Sequence, residues 1–264
     1  MLTVASGKGG VGKTSVAVNL AIALRRLGVR PLVVDADFGL ANVDIMLGAT
    51  SKYDISYFLR GERTLQEIIQ TGHEGVRFIS GGSGVYDLIN IHEEQLAELL
   101  AKIVIIDAPI DFIIIDTGAG INENIIRMIL ASSETMIVTT PEPTSVLDAY
   151  ALIKTIMKRD GSHQIRILVN KCESKKEAQR VQDGFVEIVG RRLGKKIEPL
   201  GLVMYNKEVP LSIKRQIPIT ITDSGGATAK EIEKIARLLV DLPCENTSNN
   251  VLSRVFSRLL GDRR

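Results

Sequence analysis

Short runs of Ile, Val and Leu alternate along the chain with longer stretches whose apolar residues recur at helical spacing. The runs at 2–6, 32–35, 76–80, 111–116, 136–140, 165–170 and 197–203 predict strands. Helical spacing covers 14–27, 92–102, 145–158, 175–193 and 227–240. The strands are continuous apolar runs, such as Phe112-Ile113-Ile114-Ile115, and not polar–apolar alternations. Continuous runs suit strands covered on both faces. Strand–helix alternation then predicts an α/β fold: a doubly wound, mostly parallel sheet with helices on both faces. Ligands of such sheets bind beyond the carboxyl ends of the strands, so the loops after the strands are where chemistry belongs.

Composition narrows the choice. A chain of 264 residues, 45% hydrophobic and 24% charged, buries one substantial core and is not a disordered polymer. The 33 Lys and Arg nearly cancel the 31 Asp and Glu, so a basic surface for nucleic acid is not expected. The one asymmetry is the end: residues 251–264 carry a net +3, and the rest of the chain −1. Two cysteines, Cys172 and Cys244, make neither a disulfide framework nor a four-thiolate metal site. The three histidines show no ligand spacing. No apolar run is long enough to span a bilayer, and the chain starts directly in a strand, with no leader. A reducing, cytoplasmic setting is expected. Residues 1–240 read as one domain, the polar stretch 241–250 as a linker, and 251–264 as a separate short helix.

The first loop carries the strongest signal. Gly7-Lys8-Gly9-Gly10-Val11-Gly12-Lys13-Thr14 fits the phosphate-loop pattern, with a strand before it and a helix after it. Its glycines allow a tight turn, and its N–H groups with the helix N-terminus cradle phosphate oxygens. Lys13 is expected to bridge the β- and γ-phosphates, the Thr14 hydroxyl to ligate Mg²⁺, and Ser15 to lie within reach of the α-phosphate. ATP and Mg²⁺ are the implied cofactors.

Acids at neighbouring strand ends complete the chemistry. Phosphoryl transfer to water needs a placed water and neutralised oxygens more than covalent help. Asp35 and Asp37 end one strand. Two further runs offer an acid for magnesium: 103–109 with Asp107, and 112–120 with Asp116. Asp116 is preferred because Gly118 and Gly120 follow it and let backbone N–H groups approach a γ-phosphate. Asn170-Lys171 ends another strand, where an Asn can offer donor and acceptor to an adenine edge.

Lys8 is not required by the general pattern. With it, Lys8-Gly9-Gly10-Val11-Gly12-Lys13-Thr14 resembles the deviant Walker A motif of the MinD/ParA ATPase superfamily. The resemblance implies an ATP-sandwich homodimer in which Lys8 reaches the partner's phosphates and stabilises charge in trans, as an arginine finger does. Residues 35–44 resemble the family's first switch, which makes Asp37 the water-orienting residue and places it near magnesium through a water. Residues 116–120 resemble the second switch, with Asp116 on Mg²⁺ through a water and Gly118 and Gly120 sensing the γ-phosphate. Asn170 would then meet the base, Lys171 would lay its stem on the ring, and 204–210 would form the other wall. Gly7, Gly9, Gly10, Val11 and Gly12 supply the cradle. The likeness covers most of residues 1–240. The stretches 81–88 and 140–154 resemble the flagellar-number regulator branch (FlhG/FleN type) more than division-site MinD. Members of that branch often carry an extension before the first strand that activates a partner GTPase; this chain starts at the strand, so partner activation is in doubt. Asp148 matches an acid that in MinD couples the nucleotide to membrane and partner surfaces.

The end of the chain has its own pattern. Val251, Leu252, Val255, Phe256, Leu259 and Leu260 fall on one helical stripe, with Arg254 and Arg258 on the other side. A basic amphipathic helix after a polar linker can lie in an anionic membrane interface, gaining about 1 kcal/mol per cation. One copy binds weakly; two on a dimer bind better through effective concentration. The expectation is an ATP-hydrolysing switch on the cytoplasmic face of the membrane that recruits a protein of the flagellar or division machinery. Division-site positioning, DNA partitioning, an ATP-dependent small-molecule ligase on the same fold and a non-hydrolysing scaffold are the competing readings. Cysteine number and placement disfavour an iron–sulfur carrier.

Overall fold

The computed structural model describes residues 1–38, 40–82, 91–106 and 108–240. Six expectations lie outside them: Gly39 of the first switch, 83–88 of the branch-specific stretch, Asp107, Cys244, the linker 241–250 and the segment 251–264 with its membrane residues.

The strands are β1 (Leu2–Ser6), β2 (Pro31–Ala36), β3 (Gln70–Thr71), β4 (Arg77–Ile79), β5 (Phe112–Ala119), β6 (Glu134–Thr139), β7 (Gln164–Cys172) and β8 (Glu198–Met204). They form one sheet in the order β3-β4-β2-β5-β1-β6-β7-β8. Every pairing is parallel except β3 with β4 at one edge. The long helices are α1 (Lys13–Arg26), α5 (Glu93–Val104), α6 (Glu123–Ala131), α7 (Pro143–Arg159), α8 (Lys175–Leu193) and α11 (Ala227–Val240). Short helices lie between them: α2 (Val43–Met46), α3 (Ile55–Leu59), α4 (Leu65–Ile68), α9 (Glu208–Lys214) and α10 (Ile219–Thr222).

The sheet separates two cores. Ala5, Val34, Ile115 and Ile137 face α5, α6, α7 and α8, while their neighbours Val4, Val33, Ile114 and Met136 face α1 and α11. Successive residues of each strand thus enter opposite cores, which is why the strands read as unbroken apolar runs. Helix α1 is buried on nearly every side from Val16 to Leu24, because α11 covers the flank that the sheet leaves open. Truncating a fully buried strand residue such as Ile115 to Ala would cost about 2–5 kcal/mol.

The expected elements appear within a few residues of their predicted ends. The run at 103–106, weighed as a second source of the acid for magnesium, is not a strand: Ile103 and Val104 form the last turn of α5. Leu96, Leu99, Leu100 and Ile103 make a buried helical stripe, and Ile105, past the helix end, is 59% exposed. Only the second Ile-rich run enters the sheet.

Candidate functional site

The sheet changes winding direction at β1, which lies between β5 and β6. Crevices at such points take ligands, and the phosphate loop leaves β1 there. Gly10 (φ +74°) and Gly12 (φ +96°) adopt left-handed backbone that side chains disfavour, and α1 starts at the next residue, Lys13. The Ser6 hydroxyl donates to the Lys8 carbonyl at 2.7 Å and fixes the entry of the turn.

Lys13 is only 7% exposed. Burial pulls its pKa down, and Asp116 and Asp37 pull it back up. It is a desolvated cation at the base of an anion cradle, where a phosphate gains most from it.

Asp35 and Asp116 sit side by side in register on β2 and β5. Their surroundings differ. Asp35 accepts from the N–H groups of Asp37 (3.1 Å), Asn42 (2.8 Å) and Val43 (3.0 Å), so its carboxylate folds the switch-like loop back on the strand. Burial raises its pKa to about 6, with those three bonds and the Asp37 charge acting on it in opposite senses. Asp116 is wholly buried, and neither carboxylate oxygen has a protein hydrogen-bond partner. Burial and the Asp35 charge push it up to about 8, against the pull of the adjacent Thr14 hydroxyl and Lys13. Asp37 is half-buried over Gly118: a Cβ there would lie 2.9 Å from Asp37 Oδ1. Burial raises its pKa and Lys13 lowers it.

An orphaned buried carboxylate beside a threonine hydroxyl is a hard-oxygen donor set in want of a cation. Among the described residues no three His, Cys, Asp or Glu converge as an all-protein cage. That suits magnesium, which keeps waters and takes phosphate oxygens. Thr14 and Asp116 fit the ion.

Lys8 leaves the loop on its outer side. Its Nζ donates to Glu142 Oε2 at 2.6 Å and to the Thr144 hydroxyl at 2.8 Å, at the start of α7. Asn170 and Lys171 arrive from the end of β7 and touch the loop itself: Asn170 Nδ2 donates to the Val11 carbonyl at 2.8 Å, and Lys171 Nζ to that of Gly10 at 2.7 Å. Beyond β8, the Asn206 amide donates to the Thr228 hydroxyl, and Tyr205 is largely exposed beside it.

The fold therefore brings Lys13, Thr14, Asp37, Asp116, Gly118, Asn170 and Lys171 around one loop. The sequence reading missed Glu142, which the pair Glu142-Pro143 directly after a strand would have flagged. It also missed that Asp35 organises the switch loop.

Residues 1–240 match the ParA family, described as "NUBPL iron-transfer P-loop NTPase". The antiactivator FleN of Pseudomonas aeruginosa is 35% identical over 216 residues, 82% of this chain and 77% of that protein. The flagellum site-determining protein YlxH of Helicobacter pylori is 30% identical over 240 residues, 90% of this chain and 81% of that protein. MinD in the MinC:MinD cell division complex of Aquifex aeolicus superposes with a TM-score of 0.76 at 25% identity, covering 90% of this chain and 95% of the other. MinD of Pyrococcus horikoshii, solved with Mg-ADP, gives 0.77 at 23% identity, covering 91% and 96%. The geometry of the loop, its buried lysine and its facing carboxylates agree with these likenesses: the chain belongs to the MinD/ParA family of P-loop NTPases and is an ATPase.

Proposed function

We propose that this ATPase is a membrane-cycling switch that dimerises with ATP and sets flagellar placement or number. The observation that carries the reading is the set Lys8, Lys13, Asp37 and Asp116, complete and gathered at the carboxyl ends of β1, β2 and β5, in a chain whose relatives include FleN and YlxH. ATP lies with its phosphates on the N–H groups of residues 7–14, Lys13 spanning the β- and γ-oxygens. Thr14, and Asp116 through a water, would hold Mg²⁺, which would supply positive charge to the phosphates. Asp37 orients the attacking water. The second protomer's Lys8 meets the γ-phosphate, which requires Lys8 to leave Glu142. A lone chain, with Lys8 so engaged, hydrolyses slowly. Asn170 meets the adenine edge, the Lys171 stem lies on the ring, and backbone of 204–210 closes the other side. Gly118 and Gly120 report the γ-phosphate to the surface.

The segment 251–264 supplies membrane attachment through its apolar stripe and Arg254 and Arg258. Among the described residues no helix is long and apolar enough to cross a membrane. Peripheral residence on the cytoplasmic face then follows the nucleotide, because two tails on an ATP dimer hold better than one. A flagellar protein is the partner recruited. MinD-type division-site positioning is the second reading, favoured by MinD relatives that match across nearly the whole chain, such as that of Synechocystis at 30% identity over 99% of it.

The test is co-sedimentation with anionic vesicles in ATP and in ADP, with and without residues 251–264, followed by a count of flagella and minicells in cells lacking the protein. ATP-dependent pelleting lost with the segment, and altered flagellar number, are expected. Pelleting in neither state, or minicells with normal flagella, overturns the respective half.

A further inference from the structure

Two peptide groups of the phosphate loop are gripped from outside. Lys171 Nζ donates to the Gly10 carbonyl at 2.7 Å, and Asn170 Nδ2 to the Val11 carbonyl at 2.8 Å. The grip reaches across about 160 residues of sequence and joins consecutive carbonyls. Asn170 is nearly buried, and its other polar atom, Oδ1, accepts the Lys171 N–H at 2.9 Å. The two residues therefore act as one unit.

The unit is held in an unfavourable backbone shape. Lys171 has φ +57°, a left-handed conformation that costs a non-glycine residue about 1 kcal/mol or more. The pairing of β7 with β8 shifts register between Val169 and Cys172, so the kink is built into the sheet edge. Nor is there slack on the loop side. A Cβ at Gly12 would stand 2.5 Å from Asn170 Nδ2, so the amide lies directly on the loop backbone. A kink held at some cost that delivers a cation and an amide to adjacent carbonyls is the kind of strain found at ligand sites.

In a trans peptide the C=O and the following N–H point in opposite directions, and no peptide bond among the described residues is cis. Holding the Gly10 and Val11 carbonyls outward turns the N–H groups of Val11 and Gly12 inward. Successive inward N–H groups are what make an anion nest.

We propose that Lys171, together with Asn170, is a positioning residue that preorganises the phosphate loop, so that it strengthens binding of the polyphosphate chain whatever base is attached. The inference rests on nucleotide binding at this loop and adds to the adenine contacts proposed above. Its substrate class is the inorganic polyphosphate moiety shared by ATP, ADP and tripolyphosphate. The gain comes from fixing the cradle before the anion arrives.

Lys171→Met separates the two roles. The side chain is exposed, so the fold tolerates the change; a stem remains to lie on a base, and the donor to Gly10 is gone. Displacement of a fluorescent ATP analogue by ATP, ADP and tripolyphosphate is measured in the full chain. Lys171→Met is expected to weaken all three by about tenfold, the scale of one charge-assisted hydrogen bond. Lys171→Arg, which restores a donor, is expected to recover most of the loss. Amide exchange across residues 9–13 of the ligand-free protein is expected to speed up in Lys171→Met and not in Lys171→Arg. Unchanged tripolyphosphate affinity, with ATP and ADP weakened, would make Lys171 a base contact only and overturn the proposal. So would unchanged loop exchange. Failure of the wild type to bind the ATP analogue would instead fault the nucleotide site, and the exchange measurement would still decide the clamp.

Discussion

Gly7 lies directly against the backbone of Asp148. A Cβ on residue 7 would come within 2.3 Å of the Asp148 carbonyl oxygen. The first glycine of the phosphate loop is thus the floor on which α7 rests, and the loop cannot shift without moving that helix. Gly7→Ala must push the two apart. The expected cost is about 1–3 kcal/mol of stability, as for overpacking elsewhere, together with a roughly tenfold loss of ATP affinity from the displaced cradle. Denaturant melts and calorimetric titration of the variant measure both. A variant as stable as wild type with normal affinity would mean that the approach is not a packing constraint.

The same helix start holds Lys8. The Lys8–Glu142 pair is exposed and so adds little to stability. Its consequence lies in competition: while Glu142 and Thr144 hold the ammonium, Lys8 is turned to its own chain. Glu142→Gln keeps the shape and removes the charge. It should leave thermal stability unchanged and lower the protein concentration at which ATP produces dimer by several-fold. Sedimentation velocity across a dilution series with ATP reads this, and an unchanged dimerisation midpoint would show that the pair does not compete with dimer formation.

How much of this was legible in the sequence follows from how local each feature is. The phosphate loop is a contiguous pattern, and residues 2–26 read correctly as strand, loop and helix. The strands β5 and β7 announced themselves by the apolar runs Phe112–Ile115 and Ile167–Val169. The run at 103–106 left a second candidate for the magnesium acid open because apolar residues in a row fit a strand as well as the end of an amphipathic helix; only the stripe from Leu96 to Ile103 decides it. The short helices α2, α3, α4, α9 and α10 carry one or two turns each, too few for periodicity to show, and tertiary contacts hold them. Asp35 was recognised as an acid near the site, yet its task is to bind three backbone N–H groups of the following loop. Lys8 and Glu142 are separated by 134 positions, so no spacing pairs them.

The buried acids set a pH dependence for the ligand-free protein. Asp116 has a native pKa of about 8 and Asp35 of about 6, each above the value near 4 of an unfolded Asp. Between these limits the native state holds protons that the unfolded chain has released. Stability therefore falls as pH rises, from Asp35 and Asp116 together between about pH 4 and 6 and from Asp116 alone between about pH 6 and 8, by at most about 1.4 kcal/mol per pH unit for each group. Denaturant titrations without nucleotide or magnesium should show the decline. Asp116→Asn should be more stable than wild type at pH 8 and lose the decline above pH 6. Magnesium held at Asp116, as proposed above, would draw on the ionised carboxylate, so at pH 7 wild type should release close to one proton on binding magnesium-nucleotide and Asp116→Asn far less. Calorimetry in buffers of different ionisation enthalpy counts it. Equal proton release from both proteins would remove Asp116 from the magnesium site.

Asp37 stands apart from its two neighbours. It is half-exposed, it lies over Gly118 at the end of β5, and Lys13 is its principal counter-charge. This is the carboxylate proposed above to hold the attacking water. Asp37→Ala removes that hold while leaving Lys13, Thr14 and Asp116 in place, so binding and hydrolysis separate. ATP affinity should change by less than about threefold. Turnover should fall by about 10²–10⁴-fold, the usual worth of a positioned acid–base group. The variant should accumulate as an ATP-bound dimer, visible by light scattering, and convert to monomer when ADP replaces ATP. A variant that stays monomeric in saturating ATP, or that hydrolyses at the wild-type rate, would show that Asp37 neither positions the water nor gates the dimer.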